Sequence, residues 1–146
     1  MILALDEAKM ASLEGEVPVG CVIINRSTRE IVSSSHNMMQ KGKNANLHAE
    51  IIAINDACKK TNNKNLSDYD IYITLEPCTM CASAISNARL GRVYYGASDV
   101  KQGAVENGVR FFASSSCQHR PEIYPDIQKE SSEKIMTDFF KQLRES

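Results

Sequence analysis

The residues of this chain whose types and spacing can do chemistry are His48, Glu50, Cys78 and Cys81. Two cysteines at C-x-x-C spacing on a helix start both reach one ion, and a histidine from another helix start supplies a third ligand. Structural zinc sites are usually closed by four protein ligands. Three ligands plus a water is the catalytic arrangement, which brings the pKa of the water toward roughly 7. His36, His119, Cys21, Cys58 and Cys117 are the remaining candidates for a fourth ligand, and none stands at a matching short spacing. Helix N-termini at both ligand segments would add partial positive charge, which favours thiolate over thiol.

Glu50 follows His48 by two residues, too far round a helix to ligate in the same direction yet close enough to address a water activated at the metal. That is the position of a proton shuttle. Hydrolytic deamination needs a base for the proton of the water, an acid for a ring nitrogen and a proton for departing ammonia, and one carboxylate serves all three in turn. An H-x-E pair alone arises by chance, and a C-x-x-C alone is more often structural or redox-active. Jointly, His48-Ala49-Glu50 and Pro77-Cys78-Thr79-Met80-Cys81 match the H-x-E…P-C-x-x-C signature recorded for zinc deaminases of nucleobases.

Elements must bring these segments together. Leu3, Ala4, Ala8, Ala11 and Ser12 recur at helical spacing, and Gly15 closes that first helix. Val19 to Ile24 is a continuous β-branched run, Ile31 to Ser35 a shorter one, and Asn25-Arg26-Ser27-Thr28 between them predicts a hairpin. His48 to Lys60 reads as a helix ending near Thr61, with His48 in its first turn and Ile51, Ile52, Ile54 and Ala57 on one side. Ile71 to Leu75 is a strand, Pro77 suits a helix start, Met80 to Ala88 continues that helix, and Arg92 to Gly96 returns as a strand. The strand, helix, strand unit is therefore parallel and right-handed. Ala97 to Gly108 reads as a loop with a helical turn, Ser114 to Ser116 as another loop, and Glu130 to Leu143 as a final helix.

At 146 residues, with 42% hydrophobic and 24% charged, the expectation is a single domain over residues 1–146 with a core large enough to need no disulfide staples. Five cysteines form an odd set. Reduced thiols or metal ligation fit that set better than a disulfide framework. Asp6, Glu7 and Lys9 interrupt the segment from Met1 to Leu13, so no signal peptide or membrane span is expected and the cytoplasm is the expected location. A net charge of -1 argues against a protein that coats nucleic acid through phosphate neutralisation alone.

Beyond the metal signature, Glu16-Val17-Pro18-Val19-Gly20, Leu75 to Ala82, Gly96 to Ala104 and Asp138-Phe139-Phe140 make the chain resemble the bacterial tRNA-specific adenosine deaminase family over nearly its whole length. The resemblance implies a cytidine deaminase-like three-layer α/β/α sandwich, with a central mixed sheet of about five strands flanked by helices. It implies one zinc ion per chain held by His48, Cys78 and Cys81, with Glu50 as the catalytic residue, and hydrolysis of adenosine to inosine at the wobble position of a tRNA anticodon. By motif position it implies that Val19 packs on the flipped base, Asn37 hydrogen-bonds its edge, Ala49 offers a backbone donor, Pro77 joins the substrate site, and Asp99 contacts nucleotides around the target. The partner implied is the anticodon stem-loop of a tRNA, and a homodimer with no membrane attachment. Lys101, Arg120 and Lys141 are candidates for phosphate contacts, and Gln118-His119-Arg120 carries no assigned role. Two other readings remain: a zinc deaminase of a free base or nucleoside such as guanine or cytosine, and a non-catalytic zinc-stabilised subunit. The Gly96 to Ala104 stretch argues against the first, and the presence of Glu50 against the second.

Overall fold

The computed structural model describes residues 1–146. Helix α1 (Ile2–Leu13) buries Ala4, Leu5, Ala8 and Ala11, a face of mostly small residues that lets it lie close on the sheet. The first strand begins directly beneath it, and a Cβ at Gly20 would collide with the Ala4 carbonyl, so only glycine fits. Strands β1 (Gly20–Asn25) and β2 (Ile31–His36) form the expected antiparallel hairpin, with a register shift between Ile23 and Ile24. Its turn is held by Asn25 Oδ1, which accepts from the Ser27 and Thr28 amides at 2.9 and 3.0 Å.

Helix α2 (Ala49–Thr61) ends on Asn62 in the left-handed conformation, with Lys59 and Lys60 in its last turn. Strand β3 (Tyr69–Leu75) lies antiparallel to β1. Helix α3 (Thr79–Ala88) then crosses to β4 (Arg92–Ala97), which is parallel to β3. A short strand β5 (Glu122–Tyr124) adds in parallel to β4, and α4 (Lys129–Glu145) closes the chain. The sheet order is β2-β1-β3-β4-β5.

Side-chain alternation along the strands separates two layers. Cys21, Ile23, Ile71, Ile73, Val93 and Tyr95 form the main core with Ala53, Ala57, Ala82 and Ile85 of α2 and α3. Val22 and Ile24 point the other way and pack with Ala4 of α1. On the strands facing away from the main core, Tyr72, Tyr94 and Tyr124 stand in register on three neighbouring strands, and their rings stack at 4.4 and 4.9 Å between centroids. The result is the three-layer α/β/α sandwich with a five-stranded mixed sheet.

Four local readings change. His48 is the extended N-cap of α2 and stands outside its first turn. Ile51 and Ile52 are only half-buried, while Ala49, Ala53, Ile54 and Ala57 face the core, because the close approach to the sheet selects small side chains. The helical turn falls at Phe111–Ala113, beyond the Ala97 to Gly108 loop. β5 has only three residues, which is too few to show a period.

Candidate metal and active site

The carboxyl ends of the parallel strands β3 and β4 open toward one end of the sheet, where ligand sites of α/β folds form. Cys78 caps α3 there, Cys81 sits in its first turn, and His48 caps α2 beside them. The Nδ1 atom of His48 lies 3.7 Å from Cys78 Sγ and 3.5 Å from Cys81 Sγ. A tetrahedral zinc with bonds of about 2.3 Å to sulfur and 2.0–2.1 Å to nitrogen separates such ligands by about 3.5 Å. The donor set therefore fits zinc. All three ligand atoms lie within 4.8 Å of one another, and no fourth protein ligand joins them. His36 is held between Glu7 and Glu14, His119 Nε2 bonds the Leu90 carbonyl at 2.8 Å, and Cys117 Sγ lies against Ser86 Oγ and the His119 carbonyl. Cys21 is buried in β1, and Cys58 lies in the last turns of α2.

These groups set one another's protonation. A hydrogen bond from Cys81, then one from His48, brings the Cys78 thiol down to about 4 against the opposing effect of burial. Cys81, as the donor to Cys78 and itself desolvated, is pushed up. The hydrogen bond to Cys78 raises His48. Cys78 is thus held as thiolate, the form a metal binds. Glu50, the second residue of α2 and 4% exposed, is pushed up to about 7, chiefly by burial. A carboxyl poised near neutrality suits a group that takes and returns protons.

Neighbouring residues fix the start of α2. Ser35 Oγ donates to the Ala49 carbonyl at 2.6 Å and Ser33 Oγ to the Ala53 carbonyl at 2.9 Å, which pins the helix to β2. The Ala49 amide donates to Asn37 Oδ1 at 2.8 Å. This amide is therefore engaged by Asn37 and is not a free donor, while the orientation it imposes leaves the Asn37 amide nitrogen without a protein acceptor.

A cleft of about 930 Å³ lies over the ligands, and His48, Glu50 and Cys78 form part of its wall. Of the residues implied for substrate, Val19, Asn37 and Asp99 also line it. Ala49 is fully buried behind this wall, and so is Pro77, whose carbonyl accepts from the Ala104 amide at 2.9 Å. Lys101 lines the cleft, whereas Arg120 and Lys141 do not. The Gln118-His119-Arg120 segment is tied instead to Ser86 and Leu90 through His119.

Sequence reasoning passed over two buried carboxylates that hold loop amides. Glu16, 1% exposed, accepts from the amides of Gln40 and Lys41 at 3.0 and 2.8 Å. Glu76, 2% exposed, accepts from the segment that follows β4. The available signal was an acidic residue next to an apolar segment containing proline, in Glu16-Val17-Pro18 and Leu75-Glu76-Pro77. Met136, Phe140 and Arg144 of α4 also reach the cleft; their four-residue spacing puts them on one helix face, but spacing alone does not say what that face meets.

Residues 1–97 match the family model described as the cytidine and deoxycytidylate deaminase zinc-binding region. A tRNA-specific adenosine deaminase of Rickettsia typhi is 57% identical over 141 residues, covering 97% of this chain and 95% of that protein. One of Agrobacterium fabrum is 44% identical over 144 residues, covering 99% and 93%. Among solved structures, one from a study of A-to-I editing by tRNA:A34 deaminases at the wobble position superposes with a TM-score of 0.89 at 44% identity, covering 92% of this chain and 96% of that one. A guanine deaminase of Nitrosomonas europaea shares the fold at a TM-score of 0.75 and 16% identity, covering 93% and 80%. With its zinc-fitting ligands and its match to these relatives along nearly all its length, the chain belongs to the tRNA-specific adenosine deaminase family of zinc-dependent deaminases.

Proposed function

We propose that residues 1–146 form one deaminase domain that hydrolyses adenosine to inosine and ammonia at the wobble position of a tRNA anticodon, with one zinc ion per chain held by His48, Cys78 and Cys81. The observation that carries the reading is the buried Glu50 carboxyl beside those three ligands at the base of a cleft. Zinc, when bound, supplies Lewis-acid activation of water. Glu50 would take a proton from the water that attacks C6 of the base, deliver it to the ring nitrogen, and pass the next to the departing amine. The atoms balance, since one water is consumed and ammonia leaves. Val19 offers an apolar surface for the flipped base, and Asn37 offers the amide nitrogen that Ala49 leaves free.

The test is inosine formation in an anticodon stem-loop carrying adenosine at the wobble position, incubated with zinc-loaded protein. Inosine is expected. Robust turnover of free guanine or cytidine, with the stem-loop adenosine left intact, would overturn the assignment in favour of a free-base enzyme.

We also read the chain as a homodimer residing in the cytoplasm. Half-buried Ile51 and Ile52 of α2 with Met80 and Ala84 of α3 leave apolar surface beside the metal ligands, which supports self-association. Light scattering that gives a stable monomer at micromolar concentration rejects the dimer. Five free cysteines support a reducing compartment, and no helix is long and apolar enough to cross a membrane.

A further inference from the structure

Glu76 stands between the last residue of β3 and the Pro77-Cys78 ligand turn, and its carboxyl group is the centre around which the next loop is wound. Oε1 accepts from Ser98 Oγ at 3.3 Å, the Asp99 amide at 2.9 Å and Asn107 Nδ2 at 2.7 Å. Oε2 accepts from the amides of Val105, Glu106 and Asn107 at 3.0, 2.9 and 3.1 Å. Gly103 rests so closely on the carboxyl group that a Cβ there would fall 2.6 Å from Oε1. No lysine, arginine or histidine pairs with Glu76, so N–H and O–H donors alone stabilise its charge.

The bound loop is the wall of the cleft that faces the ligands: Ser98, Asp99, Val100, Lys101 and Gln102 all line it. Asp99, once placed by its own amide on Glu76, turns its Oδ1 to the amides of Lys101 and Gln102 at 3.2 and 3.1 Å, which fixes the rest of the segment. A carboxylate has about four lone-pair sites, and the loop already saturates them, so Glu76 has no acceptor left for a substrate although it borders the cleft.

The geometry points to Glu76 as a positioning residue: its carboxylate locks the Ser98–Gln102 wall at a fixed distance from the Cys78 ligand turn and so sets how tightly the anticodon loop is held over the metal. The inference rests on the function proposed above. It requires an ionised carboxylate, because an amide in its place would turn an NH2 group toward N–H donors on one of the two oxygen positions.

The experiment compares zinc-loaded wild type, Glu76→Gln, Glu76→Asp and Asn107→Ala by steady-state deamination of the anticodon stem-loop, zinc content and amide hydrogen exchange. Glu76→Gln is expected to keep its zinc and raise KM about tenfold or more with a smaller fall in kcat. The amides of Asp99, Val105, Glu106 and Asn107 are expected to exchange faster while those of β1 and β3 stay protected. Glu76→Asp, which keeps the charge on a shorter arm, recovers part of the KM. Asn107→Ala, which removes only the side-chain donor, gives an intermediate KM, and it carries the test if Glu76→Gln does not fold. An unmoved KM in Asn107→Ala and in any folded Glu76→Gln overturns the role, and so does loss of zinc and kcat with KM unchanged. A wild type that leaves the stem-loop adenosine intact overturns the proposed function itself, whereas an active wild type beside a variant of unmoved KM overturns only the assignment of Glu76.

Discussion

With a carboxyl buried beside two cysteine ligands, Glu50→Ala and Cys81→Ala remove different things. The first leaves every metal ligand in place, so zinc should be retained while deamination falls by about 10²–10⁴-fold or more, the usual worth of a positioned acid–base group. The second should lose the ion and the activity together. Metal content and inosine yield, measured on both, separate the two roles, and undiminished activity in Glu50→Ala would remove the shuttle. Asn37→Ala should destabilise the fold by about 1–3 kcal/mol, because it leaves the buried Ala49 amide unpaired. Asn37→Asp returns the acceptor without the amide donor, so denaturation should show stability restored while activity stays low. His48, Glu50, Cys78 and Cys81 were legible in the sequence because helix geometry converts short spacing into proximity. Glu16 and Glu76 were not, since most of their partners are backbone amides more than twenty residues away, and amides leave no mark in a sequence.

Between α1 and β2 a clamp links two elements through His36, whose Nδ1 lies 2.7 Å from Glu7 and Nε2 3.0 Å from Glu14. Burial opposes charge on His36, yet the hydrogen bonds to both carboxylates outweigh it and raise the histidine above its ordinary value. The hydrogen bond to His36 lowers Glu14, with Lys41 adding to the effect. The raised histidine contributes stability that is complete below about pH 6.5 and lost as pH rises through its folded value, while the lowered Glu14 contributes above the carboxylate range and is lost in acid. Thermal unfolding of zinc-loaded protein from pH 6 to pH 8 should therefore show Tm falling more steeply in wild type than in His36→Gln. Equal slopes would dismiss the clamp. Period and turn chemistry located the helices and four strands, because those elements are long enough to repeat. β5 escaped them: Glu122-Ile123-Tyr124 holds its place by pairing with β4, a tertiary effect.

The molecule as a whole carries a net charge of -1, so attraction to RNA must be local. Within the cleft, Lys101 and Arg144 make no ion pair with Asp99 or Glu133, which also line it. Binding of the stem-loop should weaken as salt rises, and Lys101→Ala should reduce the slope of log affinity against log salt by about 1. Fluorescence anisotropy over a salt series measures this, and an unchanged slope removes Lys101 from the phosphate contacts. The layered architecture followed from the order of helices and strands, whereas the reach of α4 across the cleft depended on how the last helix packs, which its own amphipathic pattern does not specify. The stacked rings of Tyr72, Tyr94 and Tyr124 give this architecture an optical signature. The chain has no tryptophan and only five tyrosines, so the near-ultraviolet circular dichroism of the folded protein is dominated by tyrosine, with three of the five rings in one column. Detachment of β5 removes the end of that column, and the dichroic band then reports the seating of the outermost strand without any added label.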